Sequence, residues 1–389
     1  MNSKKLGERI RFHRKLLNLS QKELAEKVYV TPQNLSKWEN GISNPDIWNL
    51  CRIARVLDLS CDYLLGKGYI EEDKEVFLAV DGGATKTEFL LFNEDGDVLK
   101  RLLLTGTNPN TCGIDKTVEI LREGMDCMVS ACGSISRVFM GIAGCGNQKN
   151  KKSVQEFLDT NYYDIEFEVQ SDIYNVVYTE EPAENYIAVV CGTGSAVAVK
   201  SRDQIYGIGG YGYIFDDAYC GYTLGREALR ATLKYENGIG EKTIVADIVQ
   251  SIMGGRALDN INMIYKSGKE YIASFALALF EAFDKGDAIA LDIIDKSVSE
   301  LAKLIISALE KYECDCEVVL SGGACSRQDV IIPYLKKYCN DVNFTVTELP
   351  QIYGASVYCR KKSGDIDNEF KENLKKQYKI YVEGENKNA

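Results

Sequence analysis

The sequence predicts an all-α domain of five helices, followed by an α/β domain built as two lobes. Apolar residues recur at helical spacing through the first 68 residues, and from residue 76 strands run into glycine-rich turns. The chain has 389 residues, 45% of them hydrophobic, which suffices for two or three domains with ordinary cores. Charge divides at the same place: residues 1–70 hold 12 Lys and Arg against 7 Asp and Glu, leaving 34 against 50 for the remainder.

Capping residues and apolar spacing define the five helices. Apolar residues from Leu6 to Leu17 mark the first helix. Ser20 and Glu23 have the spacing of a capping box that opens the second, Gln21–Val28. Thr31 before a proline opens the third, Pro32–Asn40. The last two helices begin at Pro45-Asp46 and at Ser60.

The third helix has an outward polar face. Its spacing turns Leu35 and Trp38 inward and leaves Gln33, Asn34, Ser36 and Lys37 outward. Amide side chains can read adenine edges in the major groove of DNA, and a lysine can reach guanine or phosphate. The basic excess of this segment suits such a partner, while the acidic remainder does not. The alternative is a protein-interaction module whose polar face is merely solvated.

Residues 20–66 closely resemble the phage-repressor (Xre-type) helix-turn-helix family. The resemblance implies that a homodimer binds a double-stranded DNA operator, with the third helix in the major groove. The first helix (Arg11, Arg14 and Lys15) would grip the DNA backbone together with Gln21 and Asn40. The predicted DNA-binding residues are Gln21, Thr31, Gln33, Asn34, Ser36, Lys37 and Asn40.

A single histidine limits the chemistry of the α/β domain. His13 is the only one in the chain, and it lies in the first helix, where we expect a surface or half-buried side chain. Ser-His and Cys-His catalysis are therefore excluded from residues 76–360. The 13 cysteines form no Cys-x-x-Cys pair, which favours reduced thiols. With no secretory signal and no long apolar run, we expect a cytoplasmic protein without a membrane partner.

Three segments of the α/β domain share an apolar run followed by a glycine-rich polar turn: Val76–Phe92, Tyr186–Val199 and Val318–Ala324. Taken alone, each turn is more often simply a tight turn. Two such turns facing each other across a cleft suit a polyphosphate, because glycines let backbone N–H groups approach phosphate oxygens. Asp81 at a strand end can hold Mg²⁺, often through water. The set predicts that ATP and Mg²⁺ are the cofactors.

A candidate general base follows a predicted strand. Residues 164–170 alternate between apolar and polar, and Asp172 comes just past their carboxyl end, where open α/β sheets bind ligands. The alternative role for Asp172 is to cap a short helix at 173–178.

From about Val76 to Arg360 the chain resembles the actin-like ATPase superfamily, whose fold is ribonuclease H-like. Within it, the chain is most similar to the N-acetylglucosamine kinase and benzoyl-CoA-reductase-activator ATPase family. The resemblance implies Asp172 as the catalytic base that takes the proton from a sugar hydroxyl, and three nucleotide-binding loops. The first phosphate loop is Asp81, Gly82, Gly83, Thr85, Lys86 and Thr87; the second is Gly192, Thr193, Gly194 and Ser195; the adenosine loop contains Gly322, Gly323 and Ala324; the sugar-holding residues are Asn108, Gly210, Tyr211 and Asp217.

The sequence departs from the kinase pattern near the sugar site. Asp216-Asp217-Ala218-Tyr219-Cys220 stands where kinases of this family usually have Gly-Asp-Glu-Gly-Ser, and Ala143 and Ala196 replace polar residues. The ATP-binding motifs are intact, whereas the N-acetylglucosamine pocket is altered. The substrate is then another amino sugar, or the site only senses one.

The prediction is a sugar-responsive transcriptional regulator with an ATP-dependent amino-sugar kinase-like domain. One alternative is a metabolic N-acetylglucosamine-type kinase whose helix-turn-helix serves oligomerisation. A second is an ATPase that activates a dehydratase or reductase, with Cys127 and Cys132 as conceivable cluster ligands. The predicted domains are 1–68 (helix-turn-helix), 69–75 (linker), 76–190 (N-terminal lobe), 191–360 (C-terminal lobe) and 361–389 (polar tail with a short helix).

Overall fold

The computed structural model describes residues 3–17, 19–57, 59, 61–65, 74–132, 134–162, 165–202, 204–216 and 218–388. Packing divides the chain into two compact units. The first unit is Met1–Asp172 with Ala355–Ala389, and the second is Ile173–Gly354. The chain passes between the units at residues 172 and 173 and again at residues 354 and 355.

The first unit begins with helices that have the predicted starts. They are α1 (Ser3–Leu16), α2 (Gln21–Lys27), α3 (Pro32–Glu39), α4 (Ile47–Leu57) and α5 (Cys61–Leu65). The capping box before α2 is formed: the Ser20 hydroxyl accepts from the Glu23 N–H at 3.2 Å, and the Glu23 carboxylate accepts from the Ser20 N–H at 2.7 Å. Thr31 caps α3 by accepting from the Asn34 N–H at 3.3 Å.

The first unit continues with a five-stranded sheet in the order β3-β2-β1-β4-β5. Three strands form an antiparallel meander, and β4 and β5 run parallel to β1. Its strands are β1 (Val76–Gly82), β2 (Lys86–Asn93), β3 (Val98–Thr105), β4 (Arg137–Ile142) and β5 (Glu166–Gln170), and the helices between them are α6 (Pro109–Cys112), α7 (Ile114–Cys132) and α8 (Gln148–Asn161).

The second unit repeats this sheet design. Its order β10-β9-β6-β7-β8 again places an antiparallel meander beside parallel strands. The strands are β6 (Asn185–Cys191), β7 (Ser195–Ser201), β8 (Gln204–Ile208), β9 (Glu317–Ser321) and β10 (Asn343–Val346). The helices are α9 (Ile173–Val177), α10 (Gly221–Glu236), α11 (Ile244–Met253), α12 (Ile261–Ser274), α13 (Ala276–Asp284), α14 (Ala288–Lys311) and α15 (Gln328–Tyr338), with 3₁₀ turns at Leu258–Asn260 and Gly323–Ser326.

The end of the chain is more ordered than the predicted polar tail. After α16 (Gln351–Lys361), helix α17 (Asn368–Asn388) contacts β3. Phe370 and Leu374 are buried, and the Tyr378 hydroxyl donates to the Glu88 carboxylate at 2.8 Å. Glu88 also pairs with Arg101 at 2.6 Å. The four-residue spacing of these three apolar or aromatic positions is the helical signal that the polar composition concealed.

The helical segment packs against Tyr162 and α7 of the first unit. The Phe12 ring on α1 lies 6.2 Å from the ring of Tyr162, and α5 contacts α7. Tyr162 is fully buried, and its hydroxyl donates to the Asp126 carboxylate at 2.7 Å. Buried apolar residues of the helices and of the sheet form one continuous core. Side-chain packing therefore joins the two parts in addition to the chain between them.

His13 is buried, contrary to expectation. Its side chain is only 5% exposed, and burial lowers its pKa to about 4. Helix α1 contacts α3, α4 and α5 and also meets Tyr162 through Phe12, so more than one of its faces is covered. His13 lies three residues after Ile10 and seven after Leu6, so helical spacing places it on the same face as these two buried residues.

We expect His13 to stay neutral throughout the range in which an exposed imidazole titrates. Below pH 6.5 the unfolded chain binds this proton and the folded chain does not until about pH 4, so stability falls as pH drops through that window. The loss attributable to His13 is about 2 kcal/mol at pH 5. Because the chain has one histidine, a single imidazole NMR signal reports it. That signal should not titrate above pH 5, and a midpoint near 6.5 would contradict the burial.

Candidate functional site

Three parallel strands of the first unit end at one edge of their sheet. Asp81 on β1 pairs in register with Gly141 on β4, and Gly141 pairs with Gln170 on β5. The turn after β1, the Ala143–Gly144 turn after β4 and Asp172 after β5 therefore lie along the same carboxyl edge. Such an edge is where open α/β sheets bind ligands. The structure thus brings Asp81 and Asp172 to one side of the first unit.

The predicted first phosphate loop is held by backbone hydrogen bonds. The Gly82 carbonyl accepts from the Ala143 N–H at 2.7 Å, and the Gly83 carbonyl accepts from the Thr107 N–H at 3.0 Å. A Cβ on Gly82 would lie 2.5 Å from the Thr107 hydroxyl, so a larger residue does not fit there. These bonds fix the loop against both of its neighbours.

The side chains of this loop divide between the surface and the interior. Thr85 and Lys86 are exposed, which leaves them accessible to a phosphate. Thr87 is fully buried, and its hydroxyl lies 2.9 Å from both the Thr105 carbonyl and the Thr107 hydroxyl. In this structure Thr87 therefore braces the loop.

Asn108 lies at the same edge. Its side-chain oxygen accepts from the Asn110 N–H at 2.9 Å and caps α6. A Cβ on Gly144, whose φ is +86°, would lie 2.5 Å from that oxygen. The Asn108 amide nitrogen has no hydrogen-bond partner within the described residues. It is a donor that a ligand at this edge could use.

Asp172 is half-buried and accepts from the Ser171 hydroxyl at 2.9 Å. Burial, and to a smaller extent the negative charge of Asp172, raise the pKa of the nearby Cys145 thiol to about 12. Asp172 therefore faces the turn that contains Gly144 and Cys145. Asp172 follows β5, which fits the predicted role as a general base. It also precedes α9, which fits the alternative role as a helix cap.

In the second unit, the predicted second phosphate loop and adenosine loop lie side by side. Val190 on β6 pairs with Ser321 on β9, so the two strands deliver their loops to the same edge. A Cβ on Gly322, whose φ is +99°, would lie 2.5 Å from the Cys191 carbonyl. A Cβ on Gly192, Gly194 or Gly323 would instead meet nothing within 4 Å. The backbone there is open to close approach, as phosphate binding by N–H groups requires.

Helix α10 begins against the second phosphate loop. The Gly221 N–H donates to the Gly192 carbonyl at 2.8 Å, and the Tyr222 N–H donates to the Thr193 carbonyl at 2.9 Å. These two bonds use carbonyl oxygens of the loop and leave its Thr193 and Ser195 hydroxyls for other partners.

The remaining predicted sugar residues belong to the second unit. Gly210 has a φ of +71°, and Tyr211 is 74% exposed. Asp217 lies outside the described residues. Its neighbour Asp216 accepts from the Gly212 N–H at 2.9 Å and closes this turn. Asn108, the fourth predicted sugar residue, belongs to the first unit.

Tyr219 is a supporting residue that sequence reasoning treated only as a departure. It is fully buried, and its hydroxyl donates to the Ala324 carbonyl in the adenosine loop at 3.0 Å. Burial raises the pKa of Tyr219, which keeps the phenol protonated as a donor. Ala218 and Cys220 beside it are buried as well. The signal was a tyrosine at a position that the related kinases fill with glycine.

Asp81 fits the magnesium role. It is a half-buried carboxylate at the start of the first phosphate loop. Mg²⁺ in nucleotide sites takes one or two carboxylates and completes its shell with phosphates and water. Among the residues that the structure describes, no group of three or more His, Cys, Asp or Glu is placed to hold a metal ion unaided.

A second candidate site is the outer face of α3. Gln33, Asn34 and Lys37 are exposed on this helix, while Leu35 and Trp38 are buried. Across the described part of the chain, the side chains of Gln33 and Lys37 have no hydrogen-bond or ionic partner. Ser36 is half-buried, and Thr31 caps the helix. The predicted base-reading groups are therefore displayed and available.

A buried carboxylate behind this face was missed from sequence. Glu39 is 1% exposed; it pairs with Arg14 at 2.6 Å and accepts from the Gln21 amide at 2.7 Å. Arg14 is therefore buried and not free to grip a phosphate, contrary to expectation. Asn40 accepts from Arg11 and donates to the Ser36 carbonyl. A glutamate at the end of the helix that is predicted to contact DNA was the available signal.

Comparison with known proteins confirms both resemblances. Residues 78–356 match the BadF/BadG/BcrA/BcrD ATPase family, and residues 10–64 match a helix-turn-helix family. The chain is 26% identical over 274 residues to an N-acetylmuramic acid/N-acetylglucosamine kinase of Clostridium acetobutylicum, covering 68% of this chain and 90% of that protein. Over 73 residues it is 36% identical to the HTH-type transcriptional regulator ImmR of Bacillus subtilis, covering 19% of this chain and 58% of that protein.

Comparison with solved structures agrees with the family match of the α/β body. The solved structure of a candidate N-acetylglucosamine kinase from Porphyromonas gingivalis superposes with a TM-score of 0.62 at 19% identity, covering 74% of this chain and 99% of that chain. This likeness confirms the predicted two-sheet, kinase-like α/β fold. None of the described helices is both long enough and apolar enough to cross a membrane. With an N-terminal helix-turn-helix ahead of it, the body of this chain belongs to the BadF/BadG/BcrA/BcrD ATPase family.

Proposed function

We propose that the chain is a sugar-responsive transcriptional regulator. Residues 1–68 form a five-helix reader that binds a DNA operator as a homodimer, and residues 76–360 bind Mg-ATP and an amino sugar. The observation that carries this proposal is the shared core of the first unit. The helix that displays Gln33 and Lys37 and the sheet that carries Asp81 and Asp172 belong to one packed body. A ligand at the sheet edge therefore has a physical route to the reader.

We propose that the nucleotide site either transfers a phosphoryl group from ATP to a sugar hydroxyl or only binds ATP and the sugar. Asp172 accepts the proton of a sugar hydroxyl, and Asn108 orients the sugar through its free amide. The phosphate contacts proposed for the first unit are exposed Thr85 and Lys86, and those proposed for the second unit are the open backbone N–H groups at Gly192. When bound at Asp81, Mg²⁺ neutralises phosphate charge.

A metabolic kinase is the second candidate, favoured by the identity to the Clostridium kinase over most of the α/β domain. Turnover with sugar and an absence of sequence-selective DNA binding would identify it. Against turnover on N-acetylglucosamine stands Tyr219, which fills the core where the related kinases have glycine.

The ATPase-activator alternative has less support. The activators that the chain resembles share Cys-Ala-Ala-Gly-Thr-Gly around the second phosphate loop, whereas here Cys191 alone precedes Gly192, Thr193 and Gly194.

Asp172→Asn is expected to separate catalysis from binding. If the chain phosphorylates a sugar from a broad panel, the variant should lose at least about 10²-fold in rate, as for a general base, while ATP affinity persists. The rate is measured by ADP release and the affinity by calorimetry. Asp341→Asn, at an exposed position in the second unit, is the matched control and should leave both unchanged. Equal activity of wild type and Asp172→Asn would exclude Asp172 as the base.

Substitutions on α3 are expected to separate base reading from charge attraction. Gln33→Ala or Asn34→Ala should cost about 1–3 kcal/mol at one base pair and relax selectivity there. Lys37→Ala, if Lys37 contacts phosphate, should weaken binding to all sequences and lower the salt slope by about one. Selection from random DNA followed by binding titrations measures both, with exposed Lys242→Ala in the second unit as the control. Failure to enrich any motif would refute the proposal that residues 1–68 bind DNA sequence-selectively.

A further inference from the structure

The helical segment contains a chemical feature that neither DNA reading nor nucleotide binding uses. Cys51 on α4 and Cys61 at the start of α5 are reduced cysteines, not joined in a disulfide, whose Sγ atoms lie 3.5 Å apart. Cys51 is exposed and Cys61 is half-buried. A second thiol pair, Cys191 and Cys325, also makes contact, but both of its members are fully buried. Only the pair in the helical segment combines proximity with access from solvent among the thiol contacts just described.

The packing of α4 and α5 explains why the two thiols meet. Leu50, Ile53 and Leu57 on α4 are buried, which turns the adjacent Cys51 away from the core. Helix α5 packs along α4 and brings Cys61 back beside it, although the two cysteines are ten positions apart in sequence. A disulfide bond is about 2.05 Å long, so the two sulfurs need to approach by only about 1.5 Å. Side-chain rotation supplies shifts of that size.

We propose that Cys51 and Cys61 are an oxidation site that forms a reversible intramolecular disulfide when the chain meets a peroxide. The Cys51 thiolate attacks one oxygen of hydrogen peroxide, which breaks the O–O bond, forms a sulfenic acid and releases hydroxide. The Cys61 thiol then attacks the sulfenic sulfur, forms the S–S bond and expels hydroxide. Each hydroxide takes up one thiol proton and leaves as water. The two thiols lose two electrons, and one peroxide becomes two waters; a small-molecule dithiol reverses the change by exchange.

Cys51 reacts first because the oxidant reaches an exposed thiol before a half-buried one. The neighbouring Cys61 then captures the sulfenic acid faster than a second peroxide does, because the two groups are held on packed helices. A sulfenic acid without such a neighbour proceeds to the irreversible sulfinic acid.

The site lies where the helical segment meets the rest of the first unit. Helix α5 contacts α7, and the Leu64 carbonyl on α5 accepts from Arg9 on α1 at 3.3 Å. A disulfide would tie this helix to α4 and restrict the unfolded chain, so the oxidised form should unfold at a higher temperature. Neither the bond nor this shift depends on the chain being a regulator.

The test treats the reduced full-length protein with increasing equivalents of hydrogen peroxide, alkylates remaining thiols under denaturing conditions, and maps tryptic peptides by mass spectrometry. The expected product is the peptide ending at Arg52 joined to the peptide that begins at Val56, lighter by two hydrogens and separated by dithiothreitol. Cys316→Ser, at an exposed thiol of the second unit, should form the same product with an unchanged dose response.

Cys61→Ser should abolish the joined peptides and direct Cys51 to the sulfinic acid, and it should remove the rise in unfolding temperature. Circular dichroism of each reduced variant checks that the helices are retained, and Cys51→Ser provides a second variant should Cys61→Ser misfold. The proposal is overturned if Cys51 reaches the sulfinic acid in the wild type without the joined peptides. It is equally overturned if Cys316 is consumed at lower peroxide than the pair.

Discussion

The packing of α1 and α5 against Tyr162 and α7 joins the helical segment to the rest of the first unit. Phe12 contacts Tyr162, and the Tyr162 hydroxyl donates to the Asp126 carboxylate, which fixes the position of the tyrosine ring. Separating the helical segment from the rest of this unit would expose these aromatic surfaces, at a cost of about 1.5–3 kcal/mol for each side chain fully exposed. The helical segment therefore moves with the first unit as one body. A regulator needs such a connection, because a DNA-binding domain joined only by a flexible linker would not respond to ligand binding at the nucleotide site.

The recognition face depends in turn on a buried charge. Glu39 has its carboxylate oxygens engaged by Arg14 and Gln21, which joins the end of α3 to α1 and α2. Removing one member of a buried ion pair leaves the other uncompensated and typically costs about 3–5 kcal/mol. This arrangement explains how an acidic residue can stand at the end of the helix that is proposed to contact DNA. Its charge is neutralised inside the protein, and the outer face keeps only Gln33, Asn34 and Lys37.

Sequence reasoning succeeded where structure is determined locally. The capping box of Ser20 and Glu23, the Thr31 cap and the glycine turns depend on residues within a few positions of each other. The position of Asp172 followed from one strand and the rule that ligands bind at carboxyl ends. Reasoning failed for contacts between distant segments: the Arg14–Glu39 pair, the burial of His13, the docking of α17 on β3, and Tyr219 under the adenosine loop. The partner in each contact could not be predicted, because it is defined only when separate elements pack, although the spacing of Phe370, Leu374 and Tyr378 was a local signal of a helix with a buried face.

A reciprocal titration tests directly whether operator binding and sugar binding are coupled in this chain. After an operator has been selected from random DNA and a sugar identified by thermal shift, operator is titrated with and without Mg-ATP plus sugar, and sugar is titrated with and without operator. Linkage requires the same factor in both directions, typically about 5–150-fold. Phe12→Ala, which removes a ring that joins α1 to Tyr162, should bring that factor towards one while each ligand still binds. Superimposable isotherms for the wild type in both experiments would show two independent modules and contradict the account.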